Sequence, residues 1–227
     1  MIKNYTSLLF TMLLAFATTA QVNLQLGLIA NYPMDNSTID VSSNQYDLTA
    51  SGSPTGTSDR FGNANHAYNL SLSNPDYFTA TGASLSAAEV TLAAWVNLTD
   101  ASQDQKIVGK TEVGAGYLMG VNSNQLDPEF WDSYSNHFRH MAGNVPSNTW
   151  THLVVSFKSN DYTRSYINGV VIDSIATYSF TLGTTFWPLT IGGAPWQATA
   201  LNVNGESMMF LSTTEQSMML KCLHFIL

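Results

Sequence analysis

Two carboxylates and a scatter of aromatic rings are the residues best suited to chemistry in this chain. Asp127 and Glu129 stand two positions apart, so on a β-strand they share one face roughly 7 Å apart. Such a pair suits acid–base hydrolysis of a glycosidic bond, and Asp132 lies close by. Pro128 separates them and has no N–H for a strand ladder, so a solvated loop is expected there instead. Trp131, Tyr134, Trp187 and Trp196 fall in segments expected to be loops. Exposed rings of this kind stack on sugar faces, and neighbouring amides and acids fix orientation. Each ring is equally able to serve as a rim residue covering a core.

A second group of residues points to a metal. Asp35, Asn36, Asp40, Asn44 and Asp47 crowd one polar stretch, and hard oxygen ligands are what Ca²⁺ takes. The competing reading is an Asx-rich turn, in which these side chains cap their own backbone. His137 and His140 are three apart, a spacing that splits them across the two faces of a strand and argues against zinc. No Gly-x-Ser-x-Gly nucleophile motif and no phosphate-cradling glycine motif occurs. Cys222 is the single cysteine, which excludes an intrachain disulfide.

The elements that must position these residues read as strands. Hydrophobic residues make up 44% of the 227 and charged residues only 11%. That composition builds a core and leans away from the Glu- and Lys-rich usage of helical proteins. Short β-branched or aromatic runs occur at Gly27–Met34, Ala67–Leu70, Asp76–Ala80, Val90–Leu98, Lys106–Gly109 and Tyr117–Val121. Others follow at His137–Ala142, Trp150–Lys158, Arg164–Ile167, Val170–Ile175 and Leu189–Ile191. Turn-rich clusters divide them, the pattern of a sandwich or barrel. Asn168-Gly169 between two such runs marks a type I′ hairpin. A short helical turn is expected near Ser84–Glu89. Trp95 and Trp150 sit in apolar runs and are expected to anchor the core. His152, two residues after Trp150, is expected to be a structural histidine.

The beginning of the chain reads as an export signal. Lys3 precedes the apolar run Leu8–Ala17, and small residues lead to Ala20, the layout of a signal peptide cleaved after residue 20. The run is shorter than the about 20 residues that span a bilayer, so no membrane insertion is expected after cleavage. The net charge of −8 repels phosphate backbones and anionic lipid, which excludes nucleic acid as a natural partner.

These residues carry a family resemblance. Gly27–Met34, the loop Asp40-Val41-Ser42-Ser43-Asn44, Asp59–Ala64 with Ala67-Tyr68, and Val90–Val96 stand in order. Thr149–Val155, Tyr166–Val170 and Leu189–Gly193 follow them. Together, from about Leu26 to Glu206, they resemble the laminin-G-like, or concanavalin-A-like, domains of exported bacterial proteins. The resemblance implies an all-β fold, a jelly-roll sandwich of two antiparallel sheets. It also implies a structural Ca²⁺ at the first loop, with Asp40 as the matching residue and Asn44 beside it. The glucanases of that superfamily carry a Glu-x-Asp-x-x-Glu strand motif, and this chain has none.

From Ser207 onward the resemblance stops. Four of the nine methionines and the lone cysteine fall in this tail, where the family continues with a closing strand of the type Ile-Asp-Asp-Val. Methionine has one codon, so Met208-Met209-Phe210 must be encoded ATG ATG TTY. Restoring one nucleotide before Ser207 forces Asp-Val, and suitable codons through Phe225 then give Ile-Asp-Asp-Val-Phe-Ile-Tyr-Asn-Arg-Ala, the expected strand. A one-base deletion is therefore expected near codon 207, with loss of the last core strand and of the acid that would complete a calcium site.

The sequence thus divides into a signal peptide at 1–20, a jelly-roll domain at 21–206 and an atypical tail at 207–227. The expected function is that of a secreted, non-catalytic binding or adhesion module. Its ligand is expected to be carbohydrate or another cell-surface molecule, met by Trp131, Tyr134, Trp187 and Trp196. The alternatives are a glycoside hydrolase of the same superfamily and a structural spacer of a larger surface protein.

Overall fold

A computed structural model of the chain describes residues 27–72, 76–82, 89–112, 114–133, 136–194 and 202–212. The expected signal peptide, Tyr134, Trp196, most of the turn near Ser84–Glu89 and the tail beyond Ser212 lie outside the described residues. Those described form strands and turns, with no helix among them, and so no helix long and apolar enough to cross a membrane.

Strands are numbered in chain order. One sheet runs β13 (Val170–Ala176), β12 (Tyr162–Ile167), β11 (Thr151–Lys158), β6 (Glu89–Leu98), β15 (Gly205–Ser212), β4 (Ala67–Leu70) and β3 (Thr55–Thr57). Its eighth strand, β1 (Leu28–Tyr32), also pairs with β15. The seven-stranded sheet runs β10 (Asn136–Arg139), β9 (Gln125–Ser133), β8 (Ala115–Asn122), β7 (Gln105–Glu112), β14 (Leu189–Ile191), β5 (Tyr77–Ala80) and β2 (Thr49–Ser51). The pairings are antiparallel throughout, as the jelly-roll expectation requires.

Alternation places the core between the sheets. From β6 come Val90, Leu92, Ala94, Val96 and Leu98, and from β11 come Leu153, Val155 and Phe157. Tyr117, Met119 and Val121 of β8 face them, with Leu126 and Phe130 of β9. Phe130 and Phe157 stack across the sandwich with centroids 4.7 Å apart. Asn168 and Gly169 both adopt positive φ, 50° and 77°, as the type I′ reading of the β12–β13 hairpin demands. Ser123 and Asn124, at 52° and 62°, make a second two-residue turn between β8 and β9, which the sequence reading missed.

The two tryptophans correct the expectation of core anchors. Trp95 is buried, but it lies on the opposite side of β6 from Ala94 and Val96, outside the core cluster. There it stacks on His152 at 5.0 Å. The Arg60 guanidinium lies 4.2 Å from the Trp95 centroid and 3.9 Å from that of Phe61, within cation–π range of both. Trp150 precedes β11 and is half-buried.

The closing strand differs from expectation as well. Residues 205–212 pair with β6 over eight positions, from Gly205↔Leu98 to Ser212↔Thr91, so the written sequence fills the place expected to be vacant. The strand runs six residues beyond the boundary expected at Glu206. Strand pairing uses backbone groups that every residue but proline carries, so a changed side-chain sequence can occupy the same ladder. The reading-frame expectation concerns the gene, and DNA decides it. Sequencing the coding region across codons 195–227 is expected to show one additional base that restores Ile-Asp-Asp-Val; an unaltered frame would remove the proposal.

Candidate functional site

The outer face of the seven-stranded sheet carries the densest group of polar side chains. β9 aims Asp127, Glu129 and Trp131 to this face, because positions i, i+2 and i+4 of a strand point the same way. The expected loop at Asp127–Glu129 is therefore corrected: both carboxylates sit on a strand and both are buried. Pro128 is tolerated because the β9–β10 ladder ends at Arg139↔Glu129 and resumes only as the single bridge Leu126↔Ala142. The proline occupies the break, where a missing N–H costs no ladder bond.

Neighbouring strands supply the counter-charges. Arg139 lies opposite Glu129 on β10 and grips Asp127 with two bonds, Nε to Oδ1 at 2.7 Å and Nη2 to Oδ2 at 2.6 Å. Lys106 comes from β7, one strand further away, and reaches across β8 at Gly120. A Cβ on Gly120 would stand 3.3 Å from the Lys106 Cδ, so the glycine leaves the path open. The Lys106 Nζ lies 2.8 Å from Asp104 Oδ1, 2.8 Å from Glu129 Oε1 and 3.7 Å from Asp127 Oδ2. Burial works against this ammonium, yet the charge of Glu129 and its contacts with Glu129 and Asp104 outweigh that and raise its pKa. The bond to Asp127 likewise raises the pKa of Arg139, against the effect of burial.

Trp131 completes the group. It pairs with His137 of β10, and the rings stack nearly parallel, 4.6 Å apart at 6°. His137 Nε2 lies 3.5 Å from Glu129 Oε2, beyond good hydrogen-bond length. A cavity of about 280 Å³ opens between Asp104, Lys106, Glu112, Glu129, Trp131 and Arg139. His140 leaves this group, its Nδ1 lying 2.6 Å from Asp173 Oδ2, so the two histidines do separate.

Of the four aromatic residues expected to contact ligand, Trp131 is at the cavity. Trp187 is not among its lining residues; it sits on the loop before β14, where its carbonyl accepts a bond from Lys110 Nζ at 2.7 Å. Lys106, Arg139 and Glu112 were missed by sequence reading. A lysine within an apolar run, Gln-Lys-Ile-Val, was the available signal, because lysine is almost never buried unless paired.

The polar loop after β1 is closed by its own side chains. Asp40 is buried and its two oxygens accept four bonds. Oδ1 receives the backbone N–H groups of Asn31 and Ser42, and Oδ2 receives the Ser42 hydroxyl and the Tyr46 N–H, at 2.8–2.9 Å. Asn44 donates its amide to the carbonyls of Leu28 and Ile29. Among the described residues no three His, Cys, Asp or Glu side chains are grouped to hold a metal ion. Asp40 would have to release bonds that close the loop before it could ligate a Ca²⁺ ion. Asp40→Ala is expected to cost about 2–4 kcal/mol, since it strands buried donors at about 1–3 kcal/mol each, partly rescued by water. Urea unfolding should show the same loss in EDTA and in millimolar calcium. A rise in wild-type stability with calcium, absent in the variant, would restore the metal reading.

Comparison with known proteins agrees with this architecture. The sequence profile of the concanavalin A-like lectin/glucanases superfamily matches residues 72–208, more than half of the chain, and the chain belongs to that superfamily. Among solved structures, it is similar to the binding domain of Paraclostridial Mosquitocidal Protein 1, with a TM-score of 0.69 at 14% identity over 89% of this chain and 53% of that one. It is also similar to the binding domain of botulinum neurotoxin serotype C1, with a TM-score of 0.68 at 14% identity over 88% of this chain and 52% of that one. A third is the binding domain of botulinum neurotoxin DC in complex with SialylT, at 0.68 and 12% identity over 89% and 52%. The chain thus spans about half the length of each, and the likeness is one of fold. No match is found among curated proteins.

Proposed function

We propose that the protein is a non-catalytic, secreted binding module that takes carbohydrate at the outer face of its seven-stranded sheet. The observation that carries this reading is the cavity beside Trp131. An aromatic ring held by a stacked partner stands next to carboxylates and cations that are themselves locked in place. A rigid ring and fixed hydrogen-bonding groups are what a sugar site needs, because little ordering is left to oppose binding. A structure of similar fold belongs to botulinum neurotoxin type C, whose cell entry is dependent upon interaction with two ganglioside molecules, which supports a surface ligand for a sandwich of this kind.

Trp131→Ala is expected to reduce binding to a glycan array or to soluble oligosaccharides at least tenfold, with the β-sheet circular dichroism unchanged. Saturable binding that survives the substitution would place the ligand elsewhere. The glycoside hydrolase reading has one observation in its favour, namely that Asp127 and Glu129 share a face of β9. Against it, Arg139 and Lys106 tie up both carboxylates. Turnover of a β-glucan that Glu129→Gln abolishes would establish the enzyme. Neither turnover nor binding would leave the spacer reading.

A further inference from the structure

We infer that the cavity selects an uncharged hexose ring and rejects anionic sugars. The inference rests on the binding reading above and concerns the same site. Three carboxylates line the cavity, Asp104, Glu112 and Glu129, against two cations, Lys106 and Arg139.

Both cations are already charge-paired. Lys106 lies between Asp104 and Glu129 at 2.8 Å from each, and Arg139 commits Nε and Nη2 to Asp127, which is fully buried behind it. A sialate, uronate or sulfate would meet cations whose charge is already balanced by buried carboxylates, and would either compete with those pairs or lie against their negative charge. Removing one partner from such a pair is strongly unfavourable. The net charge of −8 adds a repulsive field of the same sign.

Sugar hydroxyls meet no such obstacle. They donate to carboxylates, which are acceptor-only groups with several lone pairs each. Among the described residues, Glu129 Oε2 has the long 3.5 Å approach of His137, and Glu112 contributes a further carboxylate to the lining. His137 covers one face of the Trp131 ring, and the ring lines the cavity, where it can meet the apolar face of a pyranose. At about 280 Å³ the cavity falls just below the roughly 300–1,000 Å³ of pockets that hold drug-sized ligands. It therefore suits one ring rather than an extended chain.

The test uses matched pairs that differ only at C6: the methyl glycosides of glucose, galactose and mannose, and the corresponding methyl uronides. Calorimetry and tryptophan fluorescence are read on the full chain at pH 7. At least one neutral glycoside is expected to bind at least tenfold tighter than its uronide. Glu112→Lys is expected to narrow or reverse that ratio, with the fold checked by circular dichroism. A uronide that binds as well as, or better than, its neutral partner would overturn this inference and leave the carbohydrate reading standing. Failure of all six to bind, with oligosaccharides carrying the same terminal rings also silent, would overturn both.

Discussion

Arg139→Met is expected to lower the unfolding free energy by about 3 kcal/mol, the lower end of the cost of removing one partner from a buried ion pair. Asp127 has no exposed surface, and the two Arg139 bonds are its shortest contacts with a cation. Without the guanidinium its nearest cation is Lys106, 3.7 Å away and held closer by Asp104 and Glu129. The lower end applies because the Arg139 side chain is 35% exposed, which lets water reach part of the vacated space. Removing both partners in Arg139→Met with Asp127→Leu should recover much of the loss, since the uncompensated charge disappears with the pair. Urea unfolding of the two single variants, the double variant and the parent gives the coupling directly. A single-variant loss below about 1 kcal/mol, in the range of exposed ion pairs, would show that Asp127 is not held by Arg139.

The second large effect is a pH dependence seated on the other sheet. Burial first, and the charge of Arg60 second, push the His152 imidazole down to about 4. The unfolded chain titrates near the ordinary histidine value of 6.5. Between those values the unfolded chain takes up a proton that the folded protein refuses, so stability falls as pH drops through the window. At about 1.4 kcal/mol per unit the loss is about 3 kcal/mol, complete below pH 4 and absent above pH 6.5. His152→Phe keeps a ring on Trp95 and removes the titration. Because Nδ1 of His152 has no hydrogen-bond partner, the substitution abandons no bond at that atom. Urea midpoints from pH 7 to pH 4 should slope in the parent and flatten in the variant. Parallel slopes would assign the acid sensitivity to other groups.

The sandwich was legible because its signals are local. Alternating runs such as Val90–Leu98 and the Asn168-Gly169 turn specify strands and a hairpin within a few residues. β9 was not legible, because a proline between two acids reads as a loop unless the ladder on that side is known to break. The side on which Trp95 lies was equally hidden. Its run is apolar on both faces, so alternation gives no direction, and the Arg60 guanidinium and the His152 ring that lie against Trp95 account for its burial. At the candidate site Trp131 could be picked out as an aromatic ring beside acids, whereas Lys106 and Arg139 could not. They come from sequence positions 21 residues before and 12 after Asp127, and only the order β10-β9-β8-β7 brings them together.

The position of β15 has a consequence for biogenesis. It is the last of the described strands to leave the ribosome, yet it lies inside its sheet, between β6 and β4, and also holds β1. Its partners range from Leu28 at one end of the described chain to Leu98, so none of these contacts is local. Until it is synthesised, β6 and β4 present unpaired backbone to the nascent chain's surroundings, and β1 has nothing to join. Strand pairing over such sequence distances is slow and exposes edges to wrong partners. The eight-stranded sheet is therefore completed late, and until β15 joins, the edges of β6 and β4 stay open.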